Sequence, residues 1–189
     1  MDKNNYTMLC DFYELTMANG YFQKNMQNEI VYFDMFFRNV PDDGGFAIFA
    51  GLEQLVEYIE NLHFSEEDLA YLSKVDGFTP DFIEYLRNFK FTGDIYSVKE
   101  GTVIFPNEPL ITVRANAIEA QIIETFLLLT INHQSLIATK TNRIVRSAGD
   151  KVVMEFGARR AQGASAAIYG PRAAYIAGVA GTSCTYDDV

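Results

Sequence analysis

The sequence is poor in the residues that make covalent staples and metal sites. Two residues are cysteine, Cys10 and Cys184, and two are histidine, His63 and His133. Cysteines so far apart exclude a disulfide-rich scaffold and read as free thiols of a reducing compartment, and no standard zinc spacing joins them to the histidines. No run of about eighteen apolar residues occurs, so no membrane-spanning helix is expected. The start, Met-Asp-Lys-Asn-Asn-Tyr, lacks the basic and apolar regions of a secretory signal, and a cytoplasmic location is expected. Positive charge is scarce as well. Fifteen Lys and Arg face twenty-five Asp and Glu, a net charge of −10, which argues against general nucleic-acid binding. What the chain does hold is 189 residues, 49% of them hydrophobic, enough for a substantial core in one domain or one and a half.

The few cations are unevenly spread. Residues 140–172 contain Lys140, Arg143, Arg146, Lys151, Arg159, Arg160 and Arg172 against only Asp150 and Glu155. A basic island in an acidic chain suits a local anion site. Its centre is Glu155-Phe156-Gly157-Ala158-Arg159-Arg160-Ala161-Gln162-Gly163. Paired guanidiniums in a loop suit bidentate capture of carboxylate or phosphate, and Phe156 can lie against a flat ring. Two solvated arginines on a surface loop is the plainer alternative. Arg143 and Arg146, near a helix end, either complement its dipole or meet phosphate.

In chain order, Leu9, Phe12, Tyr13, Met17 and Tyr21 predict a helix over Thr7–Phe22 with most of that stripe in the core; Asp11 and Tyr13, near its start, are the exceptions that can reach outward. Ile30–Arg38 reads as a strand, and Pro41–Gly45 as a turn. Phe46–Phe49 fits either a short strand or a helix lead-in. A helix is expected over 51–61, facing inward with Leu52, Leu55, Val56 and Ile59. Ser65 caps the next, and Thr79-Pro80 starts another. Residues 91–114 predict three short strands of one antiparallel sheet. Residues 117–148 predict one long helix, buried at its centre, with His133 as a core or boundary histidine. Val152–Met154 reads as a buried strand, followed by the Arg-Arg loop, a small-residue helix to about Ala177 and a strand over Val179–Ser183. That is a βαβ unit. Its strands either join the upstream sheet or open a barrel belonging to a longer protein. In the latter case exposed strand edges after residue 151 favour aggregation.

Six segments, in this order, carry a family resemblance: Asp11–Met17, Phe36-Phe37-Arg38 with Ala50–Glu53, Phe105–Pro109, Thr139–Arg146, Glu155–Gly163 and Ala180–Ser183. The chain resembles nicotinate phosphoribosyltransferases, ATP-assisted enzymes that form nicotinate mononucleotide for NAD synthesis. The resemblance implies an α+β N-terminal domain over 1–116. A linking helix and the opening βαβ part of an incomplete α/β barrel, of the type II phosphoribosyltransferase kind, follow over 117–189. It implies a homodimer with a shared active site, in which Asp11 and Tyr13 serve the neighbouring subunit. Tyr13 and Phe156 would stack on the pyridine ring, and Arg159 would bind the nicotinate carboxylate. Arg38 and Arg160 are further contacts to substrate or phosphate, and Gly181, Thr182 and Ser183 lie near the base or ribose. The family's phosphorylated histidine segment is not matched by His63 or His133, so no catalytic residue or metal ligand is assigned. ATP and Mg2+ belong to the complete enzyme, and the chain alone is expected to be inactive. The alternatives are a transferase for nicotinamide or quinolinate, a non-catalytic dimerisation or regulatory module, and an anion-binding domain without chemistry.

Overall fold

A computed structural model describes residues 5–186. The chain forms two compact units that interleave along the sequence rather than dividing at residue 116. One is built from the chain up to Asp34, Glu53–Tyr96 and Ile111–Leu128. The other comprises Met35–Leu52, Ser97–Leu110 and the chain from Leu129.

The first unit holds helices α1 (Phe12–Gln23), α2 (Leu52–Glu60), α3 (Glu66–Leu72) and α4 (Pro80–Arg87). Its sheet has the order β1 (Ile30–Met35), β5 (Ile111–Asn116), β3 (Asp94–Ser97). Local signals set the short helices. Ser65 Oγ accepts from Asp68 N–H at 3.2 Å while Asp68 Oδ2 accepts from Ser65 N–H at 2.9 Å, a complete capping box for α3. Thr79 caps α4 through Phe82 N–H, with Pro80 in the first turn. Helix α5 (Ala117–Ile122) packs against α1, with Asn116 accepting from Ile118 and Glu119 N–H.

Helix α1 departs from the expected pattern in two ways. It starts at Phe12 rather than Thr7, because residues 7–10 make a turn and a bend. Its buried face is Glu14, Leu15, Ala18 and Asn19, whereas Leu9, Phe12 and Met17 of the expected core stripe are exposed; Tyr13 is exposed too, in line with the outward reach expected of it. The helix is apolar on two sides, and the side with small Ala18 is the one covered. In α2 the inward residues are Gln54, Leu55 and Tyr58, and Val56 is exposed.

The second unit is built around a two-stranded antiparallel sheet, β2 (Ala47–Ile48) against β4 (Val103–Ile104). Phe46–Phe49 is therefore strand. The three strands of 91–114 do not form one sheet: β3 and β5 join β1, while β4 pairs with β2. The expected long helix is broken at Ile123 into α5 and α6 (Glu124–Ala148). Its centre is buried, with Ile118, Ile122, Ile123, Phe126, Leu127 and Ile131 all in the core, although Leu129 is exposed. Polar residues of α6 satisfy the backbone of β2 and of the segment just after it, since Ser135 Oγ and Thr139 Oγ1 accept from Ala50 and Ile48 N–H at 3.0 and 2.9 Å. Helix α7 (Ala164–Ile176) contributes Ala173 and, just past its end, Ala177 to a core with Ile48, Ala50 and Ala138.

Val152–Met154 and Val179–Ser183 do not become buried strands. Val152 is 77% exposed, and the two segments make a single parallel bridge, Glu155 to Thr182. They join neither sheet among the described residues. The connection through α7 is that of a βαβ crossover, but with no strand on either side the pair stays short. Among the described residues, no helix is long and apolar enough to cross a membrane.

Candidate functional site

The Arg-Arg loop hangs from the parallel pairing. Ala180 N–H donates to Val153 O at 2.9 Å, Glu155 N–H to Gly181 O at 2.9 Å, and Ser183 N–H to Glu155 O at 3.0 Å. The Glu155 side chain then ties both segments together. Its Oε2 accepts from the Thr182 hydroxyl at 2.7 Å and its Oε1 from Gly157 N–H. Cys184 N–H donates in turn to Thr182 Oγ1 at 3.0 Å. A Cβ on Gly157 would lie 2.6 Å from Glu155 Oε1, so a larger residue there would make the Glu155 carboxylate shift.

Beyond Gly157 the backbone makes a 3-10 turn over Ala158–Arg160, closed by Arg160 N–H to Gly157 O at 2.8 Å. Gly163, at φ +105°, lets the chain enter α7. The result is an outward display. Phe156 is 58% exposed, and Arg159 and Arg160 are exposed. Among the described residues, neither arginine has an ion-pair or side-chain hydrogen-bond partner, so both guanidinium forks are open to an anion. Ser183 is exposed beside the half-buried Gly181 and Thr182. Arg38 is exposed in the same unit and likewise has no such partner among the described residues.

The rest of the basic island divides. Arg172 is committed to Glu100, with Nη1 and Nη2 at 3.0 and 2.8 Å from its two oxygens. Glu100 Oε1 also accepts from Leu52 N–H at 3.0 Å and Gly51 N–H at 2.6 Å. Burial pushes the Glu100 carboxyl up, but the Arg172 guanidinium and the two N–H groups more than offset this, and its pKa is lowered. Arg143 donates to Pro41 O at 3.2 Å and pairs with Asp42 at 3.4 Å, and Arg146 lies 5.8 Å from the Phe46 ring centroid. Structural pairing thus consumes part of the charge that the sequence suggested for an anion site. A half-buried Arg–Glu pair across 72 residues of sequence has no local signature.

Asp11 and Tyr13 belong to the first unit and sit in a second cluster. Asp11 is the N-cap of α1, yet its side chain makes no capping bond. Tyr13 is 45% exposed, and its hydroxyl donates to Glu124 Oε1 at 2.8 Å, which pushes its pKa up to about 12. Glu124 Oε2 accepts from Gln121 Nε2 at 2.7 Å. Glu14 is fully buried. Its Oε1 accepts from Thr125 N–H at 3.1 Å and from the Thr125 hydroxyl, and its Oε2 has no partner among the described residues. Burial, reinforced by Glu124, raises its pKa to about 7 against the pull of the Thr125 bonds. Burial, with Glu14 and Asp11 adding to it, raises the Cys10 thiol to about 12, so it stays protonated and unreactive. Glu14, Glu124 and Thr125 were not singled out in the sequence. The signal available was a carboxylate on the narrow, small-residue side of α1 and another inside an otherwise apolar helix. His133 lies at a boundary position with a buried Nε2 that has no partner among the described residues. Among the described residues no three His, Cys, Asp or Glu side chains cluster as metal ligands.

Residues 8–132 match the family model for the nicotinate phosphoribosyltransferase (NAPRTase) N-terminal domain. The chain is 49% identical over 173 residues to nicotinate phosphoribosyltransferase of Bacillus subtilis, covering 92% of the chain and 35% of that protein. It is 44% identical over 176 residues to nicotinate phosphoribosyltransferase pncB2 of Mycobacterium tuberculosis, covering 93% and 38%. Its fold is similar to the crystal structure of human nicotinic acid phosphoribosyltransferase, with a TM-score of 0.87, 32% identity and coverage of 93% and 36%. A nicotinate-nucleotide pyrophosphorylase from Pyrococcus furiosus follows at a TM-score of 0.76 and 25% identity, covering 98% and 40%. The chain therefore spans little more than a third of the length of the curated relatives it matches.

Proposed function

The chain belongs to the nicotinate phosphoribosyltransferase family, and from that premise we propose that it is the N-terminal portion of an enzyme joining nicotinate to the phosphoribosyl group of phosphoribosyl pyrophosphate. The reaction is coupled to ATP hydrolysis, gives nicotinate mononucleotide and serves NAD biosynthesis in the cytoplasm. The observation that carries the reading is the outward turn holding Phe156, Arg159 and Arg160, with both guanidiniums free among the described residues. Nicotinate is a flat ring with one carboxylate. Arg159 takes the carboxylate as a fork, and Phe156 covers one ring face. Arg160 and Arg38 meet phosphate or substrate, and Gly181, Thr182 and Ser183 border the base and ribose. Held in this way, the base is aligned for attack on the anomeric carbon, and positioning supplies much of the rate.

Asp11 and Tyr13 are assigned to the pocket of a neighbouring subunit in a homodimer. The support is the exposed apolar face Leu9, Phe12, Tyr13 and Met17 on and beside α1, which a second copy would cover. The parallel pairing of 153–155 with 180–183 through α7 supports the opening of an α/β barrel. ATP and Mg2+ supply phosphoryl chemistry and charge neutralisation when bound to the complete enzyme. The two cysteines are free thiols, in keeping with a reducing compartment.

Two open arginines also suit a dicarboxylate, so quinolinate is the competing base. The test is competition among nicotinate, nicotinamide and quinolinate on a full-length enzyme carrying this chain, together with an assay of the 189-residue chain alone. Preference for nicotinate and no product from the chain alone are expected. Nicotinate mononucleotide formed by the chain alone would overturn the partial-enzyme reading. Preferred binding of either other base would overturn the substrate.

A further inference from the structure

Tyr13 presents a problem that its own helix does not solve. Its ring is 45% exposed on its own chain, so packing within that chain does not fix it, yet a stacking residue must be held in one orientation before the substrate arrives. The start of α6 provides the hold. The break at Ile123 places Glu124 and Thr125 in the first turn of α6, where backbone N–H groups lack helical partners. Thr125 N–H is satisfied by Glu14 Oε1 at 3.1 Å, so α1 caps α6 from outside. In return α6 clamps α1. Thr125 Oγ1 accepts from Asp11 N–H at 3.2 Å, and Glu124 Oε1 accepts from the Tyr13 hydroxyl at 2.8 Å.

We infer that Glu124 and Thr125 are positioning residues, which hold Tyr13 and Asp11 in the geometry that the substrate meets. The inference rests on the substrate role proposed above for those two residues. Glu124 suits the task because it is itself immobilised. Its second oxygen accepts from Gln121 Nε2 at 2.7 Å, and Gln121 is buried. Thr125 holds the backbone of Asp11 rather than its carboxylate, which makes no capping bond and stays free for a ligand. Each bond therefore restricts orientation without occupying the group that meets substrate. The Tyr13 ring faces and the Asp11 carboxylate remain available.

The test is steady-state kinetics on a full-length enzyme carrying this chain, with Tyr13→Phe, Glu124→Ala, their double variant, Glu124→Gln and Tyr13→Ala, and thermal melting of each. Loss of the tether is expected to raise the nicotinate KM about three- to tenfold in both Tyr13→Phe and Glu124→Ala, from the ordering of one side chain. The double variant should be no worse than the stronger single one, kcat should stay within about twofold, and Glu124→Gln, which keeps an acceptor, should restore most of the affinity. A merely structural Glu124 would lower the melting temperature and leave that KM split unmoved, which overturns the inference. So would an unchanged KM in Tyr13→Phe, which stands even if Glu124→Ala does not fold. No effect of Tyr13→Ala would instead remove the substrate role of Tyr13, and the positioning role with it.

Discussion

Replacing Glu14 with glutamine should stabilise the protein at alkaline pH and do little at acid pH. Glu14 is 0% exposed and one of its oxygens has no partner among the described residues, so the charged form is poorly accommodated. Its pKa is raised from 4.5 to about 7, first by burial. The native state thus holds a proton that the unfolded chain has already released. Stability is full below about pH 4.5 and falls as pH rises towards 7, above which the loss is constant. At about 1.4 kcal/mol per pH unit the whole interval is worth about 3.5 kcal/mol, and between pH 5 and pH 8 about 2.5 kcal/mol. Glutamine keeps the shape and the Oε1 acceptor for Thr125 but cannot ionise. Urea unfolding of both proteins across this range isolates the group, because titrations not coupled to Glu14 cancel in the difference, and the neighbouring Cys10 and Tyr13 groups, raised to about 12, do not titrate between pH 5 and pH 8. The advantage of the Glu14→Gln variant should grow by about 2 to 3 kcal/mol from pH 5 to pH 8. A difference that stays flat with pH would refute the reasoning.

Glu100 should show the opposite sign. Its carboxyl is held below the ordinary carboxylate range, so its contribution is present above that range and is lost as pH falls through the folded value. Glu100→Ala should cost about 2 to 3 kcal/mol by removing the carboxylate that pairs with Arg172 and accepts from two N–H groups, as urea unfolding at neutral pH would measure. Gly51→Ala should cost on the order of 2 kcal/mol or more in the same assay, since Gly51 sits at φ +108° and a Cβ there would lie 2.9 Å from Thr130 O.

Much of the local structure was legible because its causes are local. Ser65 with Asp68, and Thr79 with Pro80, specify their helices within four residues of sequence, and both appear as expected. The loop at Glu155–Gly163 was legible through its arginines and glycines. What periodicity cannot decide is which of two apolar faces is covered, and α1 turned out to bury the Leu15 and Ala18 side. Strand partners are equally invisible locally: β4 lies between β3 and β5 in sequence yet pairs with β2. The same limit applies to the site. Arg159 and Arg172 look alike as cations, and only the position of Glu100, 72 residues before Arg172, separates a free guanidinium from a committed one. Glu155 reads as a stray acid in the basic island until Thr182 and Gly157 are seen on its two oxygens.

The central claim is that Arg159 recognises the carboxylate of the base. The direct measurement is the nicotinate KM of Arg159→Ala in a full-length enzyme carrying this chain. Loss of a charge-assisted fork worth about 1.5 to 3 kcal/mol predicts a rise of roughly 10- to 150-fold, with the KM for phosphoribosyl pyrophosphate little changed. An unchanged nicotinate KM in a folded Arg159→Ala enzyme would contradict the account.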